Sequence, residues 1–234
     1  MILDNFLPVL WINMNRSTER RERMKNLFEK YSIKNTRIEA VDSKNQTKLE
    51  SLCIMNKSIT RAENACTMSH FLALRHFVDN MSNDKVIIFE DDVSLEFLPL
   101  IPFNWSELVN NLPKNYNVVQ LAVCSYRNVY PKIVQISHQT SYSSVAYMIT
   151  KKAAIHLLNK YTDPVTKKIN LENKKQCTAD AVILSLDYTF SIPIFTYETN
   201  DSTIHKSHLA FHSRTKKQQL EMWKLVSSNK KYTC

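Results

Sequence analysis

No glycine occurs anywhere in this chain of 234 residues. An average chain of that length would carry roughly 16, at about 7% usage. Glycine takes φ > 0 without a steric penalty, so left-handed turns here must fall to Asn, Asp or a strained residue. Asn45, Asn111, Asn115 and Asn200 are the expected positions. A Walker-type glycine loop is excluded, which removes the largest class of phosphoryl-transfer enzymes. The abundance of Lys and Asn in place of glycine points to an AT-rich genome, bacterial or viral.

Within that constraint, residues 85–93, KVIIFEDDV, carry the clearest signal. A short apolar run rich in β-branched residues reads as a buried strand. It leads straight into Glu90, Asp91 and Asp92. Three adjacent carboxylates repel one another, and a cation offsets that cost. Hard ions such as Mg²⁺ or Mn²⁺ take one or two carboxylates and complete their shell with phosphate oxygens. The carboxyl ends of strands in an open α/β sheet are where ligands bind. A metal-assisted site for a phosphorylated substrate is one reading; a surface turn or helix cap is the other.

Composition narrows the setting. The 44% hydrophobic content supports a sizeable core, and no run is long enough to span a bilayer. The opening MILDNFLPVLWINMNRS has no basic segment before its apolar residues and no small-residue cleavage site, so it does not read as a secretory signal. Five widely spaced cysteines with no Cys-x-x-Cys fit a reduced, cytoplasmic protein, in the host cytoplasm if viral. A net charge of +9 allows a nucleotide or another anion as partner. Nucleic acid stands well behind, because the basic residues are dispersed and not interleaved with aromatics; solubility alone is the remaining account.

The order of elements indicates an α/β fold. Residues 9–13 read as a first strand, followed by a helix capped by Ser17 or Thr18 with Met24, Leu27, Phe28 and Tyr31 on its apolar face. Arg20, Arg21 and Arg23 lie in its first half, against the helix dipole, which suggests a nearby anion. Residues 36–41 are a second strand, 42–60 a polar mobile excursion, and 61–80 a long helix with a narrow small-residue face containing Cys66, Ser69 and His76. With the acidic strand this gives β-α-β-α-β, an open and largely parallel sheet. Beyond it, strands are expected at 117–123, 133–137, 144–150 and 190–197, the last interrupted by Pro193. Helices are expected at 151–161, with Ile155 among its apolar contacts, at 179–186 and at 215–228. No repeat or linker marks a boundary, so one domain over 1–234 is expected.

Taken in order, WINMNRSTERRERM, RIEAVDS, RAENACTMSHFLAL and VIIFEDDV resemble glycosyltransferase family 25, and SSVAYMITKKAAIHLL and TADAVIL are weaker matches. Family glycines stand as Ser43, Ala62, Ala65 and Ala146 here. The resemblance implies a GT-A-like open twisted sheet, mostly parallel, with helices on both faces. Residues 1–123 would be a Rossmann-like nucleotide-sugar half and 124–234 an acceptor half. It implies transfer of a hexose, galactose or glucose, from a UDP-sugar to an acceptor hydroxyl with inversion, assisted by Mn²⁺ or Mg²⁺. The acceptor would be a glycan, a lipopolysaccharide or a collagen-like hydroxylysine.

On that reading Asp92 and Glu90, in register on one face of the strand, are the metal ligands, with Asp91 turned to the ribose or sugar. Arg16, with Arg20, approaches phosphate; Asn13 and Asp42 meet the nucleoside. Ser69 and His70 lie mid-helix beside the nucleotide sugar, His70 ordering the site or serving as a core histidine. Asp180 is the base for the acceptor hydroxyl, a helix cap being its other role and Asp187 the substitute. His205 is the late metal ligand; a zinc site of His205, His208 and His212 is the rival, lacking the spacing such sites use. Two-metal nucleotidyl or phosphoryl transfer, and a non-catalytic basic binding module, are the alternatives.

Overall fold

The computed structural model describes residues 3–125, 127, 129–198 and 209–228. Its strands are β1 (Val9–Asn13), β2 (Asn35–Glu39), β3 (Cys53–Ile54), β4 (Lys85–Glu90), β5 (Val93–Ser94), β6 (Val118–Ala122), β7 (Val134–Gln135), β8 (Ala146–Thr150), β9 (Ile169–Asn170) and β10 (Thr189–Tyr197). Its α-helices are α1 (Thr18–Lys30), α2 (Gln46–Leu52), α3 (Arg61–Asn80), α4 (Trp105–Asn111), α5 (Lys151–Tyr161), α6 (Ala179–Leu184) and α7 (Leu209–Ser228).

The main sheet has the order β2-β1-β4-β8-β6-β10-β5, with β7 also on β10. β2, β1, β4, β6 and β10 run one way, and β8, β5 and β7 the other. The sheet is therefore open and mostly parallel, as the element order indicates. β8 lies antiparallel between β4 and β6, and among the described residues the 123–145 connection leading to it contains no helix. That reversal sets the start of β8 beside the ends of β4 and β6.

Side-chain alternation divides the core in two. Val9, Trp11, Ile87 and Phe89 face a layer with Met24 and Phe28 of α1, Trp105 and Leu108 of α4, and Trp223 of α7. Leu10, Ile12, Val86 and Ile88 face the other side, with Phe71 and Phe77 of α3, Leu157 of α5 and Val182 of α6. Period-2 alternation with both faces covered produces the near-continuous apolar strands seen in the sequence. α3 begins in a capping box: the Thr60 side chain accepts from the Glu63 amide, and the Glu63 carboxylate accepts from the Thr60 amide.

Several expectations are corrected. Residues 42–60 contain α2 and β3, and β3 pairs with β9 in a separate two-stranded sheet. α7 starts at Leu209 rather than at 215. Pro193 does not interrupt β10; the register against β6 shifts between Ser191 and Phe195, and the Pro193 carbonyl accepts from Trp223 Nε1 at 2.7 Å. Ile155 is 40% exposed, because α5 turns Ala153, Ala154, Leu157 and Tyr161 inward. Ser17 occupies the α1 N-cap position without a capping hydrogen bond from its side chain.

Left-handed backbone falls on Asn5, Ser32, Ser143, Lys167, Asn173 and Tyr188. Of the expected positions, Asn45 instead caps α2, accepting from the Lys48 amide, Asn111 ends α4, and Asn115 keeps negative φ. Asn200 lies outside the described residues. Ser43, Ala62, Ala65 and Ala146 all keep ordinary φ. Lys167, at φ 60°, is exposed and carries the steric penalty of a Cβ in this region. Lys167→Gly is expected to be about 1 kcal/mol more stable than Lys167→Ala; urea denaturation of the two variants measures the difference, and equal midpoints would count against the assignment of strain.

Candidate functional site

The ends of β1, β4, β6 and β10 and the start of β8 meet at one edge of the sheet, where they border a cleft of about 560 Å³. Asn13, Arg16, Arg20, Ser69, His70, Glu90, Asp91, Asp92 and Asp180 all line it.

The acidic triplet is held by α1. Asp91 is 7% exposed and accepts from Arg20 Nη1 at 2.8 Å and from Asn13 Nδ2 at 2.6 Å. Arg23 donates to the Asp91 backbone carbonyl and reaches Glu198 at 3.2 Å. The cluster of arginines in the wrong half of α1 is thus explained by the protein's own carboxylates and carbonyls. Asn13 is the hinge of the network: its Oδ1 accepts from Arg21 at 3.1 Å and Arg37 at 3.0 Å while its amide donates to Asp91. Burial, then the neighbouring Arg21, lowers the Arg37 guanidinium from its usual value. Asp91 is thus anchored to α1 and β1 while still lining the cleft.

Glu90 and Asp92 have different surroundings. Glu90 Oε1 accepts from Ser144 Oγ at 2.7 Å and faces His70 Nε2 at 3.3 Å. Burial pushes its carboxyl up, but the His70 contact and charge, the Ser144 bond and Arg20 outweigh this and hold it below the usual range. Asp92 Oδ1 is buried with no hydrogen-bond partner among the described residues. Burial, then the charges of Glu90 and Asp91, push its carboxyl up to about 8. An orphaned buried carboxylate oxygen beside a second carboxylate is the donor set a hard divalent cation takes, so the residues fit one.

The remaining positions divide clearly. Arg16 sits half-exposed at the mouth, its Nε 3.2 Å from Asp42 Oδ2; Asp42 does not itself line the cleft. Ser69 Oγ donates to the Ala65 carbonyl and accepts from the Val41 amide, stitching α3 to the end of β2. His70 is 2% exposed, its Nδ1 3.0 Å from the Tyr147 hydroxyl. Asp180 is inside α6 rather than at its N-cap, which is Thr178. Its Oδ1 accepts from the Thr178 hydroxyl at 2.7 Å and the Ala181 amide at 2.9 Å. Asp187 borders a different hollow, with Gln135 and Tyr188, where β10 begins. His205 and His208 lie outside the described residues; His212, on α7, lines the cleft.

Cys66 and Ser144 escaped the sequence reading as site residues. Cys66 lines the cleft, where burial and then the charges of Glu90, Asp180 and Asp92 push its thiol well above the usual value. Its signal was there in the spacing Cys66-x-x-x-His70. Ser144 carried none, because only the pairing of β8 with β4 brings it to Glu90. It follows Ser143, held at φ 96°, whose carbonyl and that of Tyr142 accept from the buried Gln120 amide.

The Asp92 shift has a measurable consequence. Its value rises from the ordinary 3.8 to about 8 on folding, so the folded protein binds the proton more tightly than the unfolded chain. Between those values stability falls as pH rises, with a slope of at most about 1.4 kcal/mol per pH unit. In chelator, Asp92→Asn should remove this slope; denaturation from pH 5 to 8, wild type against variant, reads it, and parallel curves would refute it.

Residues 6–173 match the family model described as "Glycosyltransferase family 25 (LPS biosynthesis protein)". Human procollagen galactosyltransferase 2 is 30% identical over 103 residues, covering 39% of this chain and 16% of that protein. Among solved structures, the glycosyltransferase GlyE of Streptococcus pneumoniae TIGR4 has a TM-score of 0.44 at 10% identity, over 95% of this chain and 62% of that one. A glycosyltransferase involved in glycosylation of the major capsid of PBCV-1 has 0.41 at 8%, over 91% and 98%. A197 from STIV has 0.41 at 12%, over 81% and 83%. Likenesses this loose leave the chain's own geometry to define the site.

Proposed function

The chain belongs to glycosyltransferase family 25, and on that premise we propose that its cleft transfers a hexosyl group from a UDP-sugar to an acceptor hydroxyl with inversion. The observation that carries the reading is the buried Asp92 oxygen, without a partner among the described residues, beside Glu90 at the carboxyl end of β4. Glu90 and Asp92 would hold Mg²⁺ or Mn²⁺, which when bound stabilises negative charge developing on a departing diphosphate. Arg16, half-exposed at the mouth, supplies a movable cation for the same phosphates, its partner Asp42 holding it in range. Arg20 is bound to Asp91 and stays in place, lending positive field without leaving the wall.

Asp180, on the same cleft, takes the proton of the acceptor hydroxyl as it attacks. The hydrogen bonds from the Thr178 hydroxyl and the Ala181 amide fix one carboxylate oxygen and so orient the group. In this reading the single domain over 1–234 divides into a donor half, 1–123, with Asn13, Arg16, Glu90 and Asp92, and an acceptor half, 124–234, with Asp180. The acceptor is a glycan, a lipopolysaccharide or a collagen-like hydroxylysine, and the sugar galactose or glucose. The setting is the cytoplasm: Cys53, Cys66, Cys124 and Cys177 are free thiols, and among the described residues no helix is long and apolar enough to cross a membrane.

Calorimetry with UDP tests the donor half. Affinity should fall at least tenfold on chelation and again at least tenfold in Asp92→Asn with Mn²⁺ present; no change in either would refute metal-assisted donor binding. Asp180→Asn should keep UDP affinity within about twofold and slow transfer by about 10²–10⁴-fold. Full transfer by that variant would remove Asp180 as the base.

A further inference from the structure

We propose that Cys66, His70 and Glu90 form a second cation site, suited to a borderline-soft divalent ion such as Zn²⁺ rather than to Mg²⁺ or Mn²⁺. One ligand atom from each of the three lies within 4.8 Å of the other two. Tetrahedral zinc, with bonds of about 2.0–2.3 Å, sets its ligand atoms about 3.3–3.7 Å apart. Rotamer adjustment of roughly 1 Å therefore closes the shell.

The local structure favours this set. Cys66 and His70 are one turn apart on α3 and so share a face; i, i+4 is the spacing helical zinc ligands use. A metal-bound histidine donates its other ring N–H to a fixed partner, and His70 Nδ1 lies 3.0 Å from the Tyr147 hydroxyl, itself fully buried. Glu90 is steadied by Ser144 at 2.7 Å. In the ion-free protein His70 Nε2 faces Glu90 at 3.3 Å and Nδ1 faces the Tyr147 hydroxyl at 3.0 Å. With the ion on Nε2, the neutral ring carries its proton on Nδ1, facing a Tyr147 hydroxyl that can accept it.

Charge and softness select the ion. A Cys66 thiolate, the Glu90 carboxylate and a neutral imidazole balance a divalent charge; binding releases the thiol proton to solvent. Thiolate and imidazole prefer Zn²⁺ or Co²⁺ to the hard alkaline-earth ions. All three residues line the cleft, which leaves a fourth position open to water or a ligand atom. Because Glu90 serves both positions, an ion here withdraws one ligand from Asp92's ion. That consequence, inhibition of transfer, rests on the proposed reaction; the site itself does not.

Co²⁺ titrated into the chelator-stripped full-length protein is the probe. One equivalent should produce a near-ultraviolet thiolate-to-cobalt absorption band, displaced by Zn²⁺ and not by excess Mg²⁺. The band should vanish in Cys66→Ser and in Cys66→Ala, each checked for folding by thermal melting. Tyr147→Phe should weaken Co²⁺ affinity 10–100-fold, and Asp92→Asn should keep the band. Absence of the band in wild type, its survival in both Cys66 variants, or its loss in Asp92→Asn would each overturn the site. A band in a protein whose UDP binding ignores Mn²⁺ supports this site while removing metal-assisted donor binding; the reverse pattern removes this site alone.

Discussion

The structure depends on how three consecutive carboxylates are tolerated at the end of one buried strand. Each receives a different answer. Asp91 is neutralised by Arg20 and fixed by Asn13. Glu90 is held ionised by His70 and Ser144. Asp92 is left buried with an oxygen unpartnered among the described residues. Neutralising all three internally would leave a stable wall with no use for a cation. Neutralising none would repel the strand end from the sheet. The division confines the unmet demand to one oxygen, and an unmet buried demand is where a ligand adds free energy.

Topology then gathers the partners. Asn13, Glu90 and Tyr197 end strands that run together and Cys124 lies just past the end of another, while Ser144 lies just before the start of one that runs against them. One reversed strand in a mostly parallel sheet brings the 141–145 loop to the same edge. The buried Gln120 side chain braces that loop through the Tyr142 and Ser143 carbonyls. In a chain without glycine, a serine takes the left-handed position at this point, and the brace offsets a strain of order 1–3 kcal/mol.

Reading the sequence succeeded where the signal was local. α3 and α5 begin and end where apolar periodicity and capping residues place them, at Arg61–Asn80 and Lys151–Tyr161. β1 and β4 were legible as apolar runs buried on both faces. Residues 42–60 were not: α2 buries only Leu49, and β3 is two residues long with its partner far along the chain at β9. Turn positions were misjudged for a related reason. Asn is favoured both in left-handed turns and at helix N-caps, and Asn45 took the second role once α2 formed behind it.

Residue type and order alone determined the strand ending in acids, the basic helix beside it, the exclusion of a glycine phosphate loop and the family resemblance, because each is written in contiguous residues. Only the tertiary structure decided which acid is neutralised and which is left wanting, that α1's arginines answer the protein's own Asp91 and Glu198, and that Cys66 and Ser144 belong to the site. Those outcomes depend on distances between segments tens of residues apart. Electrostatic energy varies with separation and burial, and neither quantity exists until the strands have chosen their neighbours.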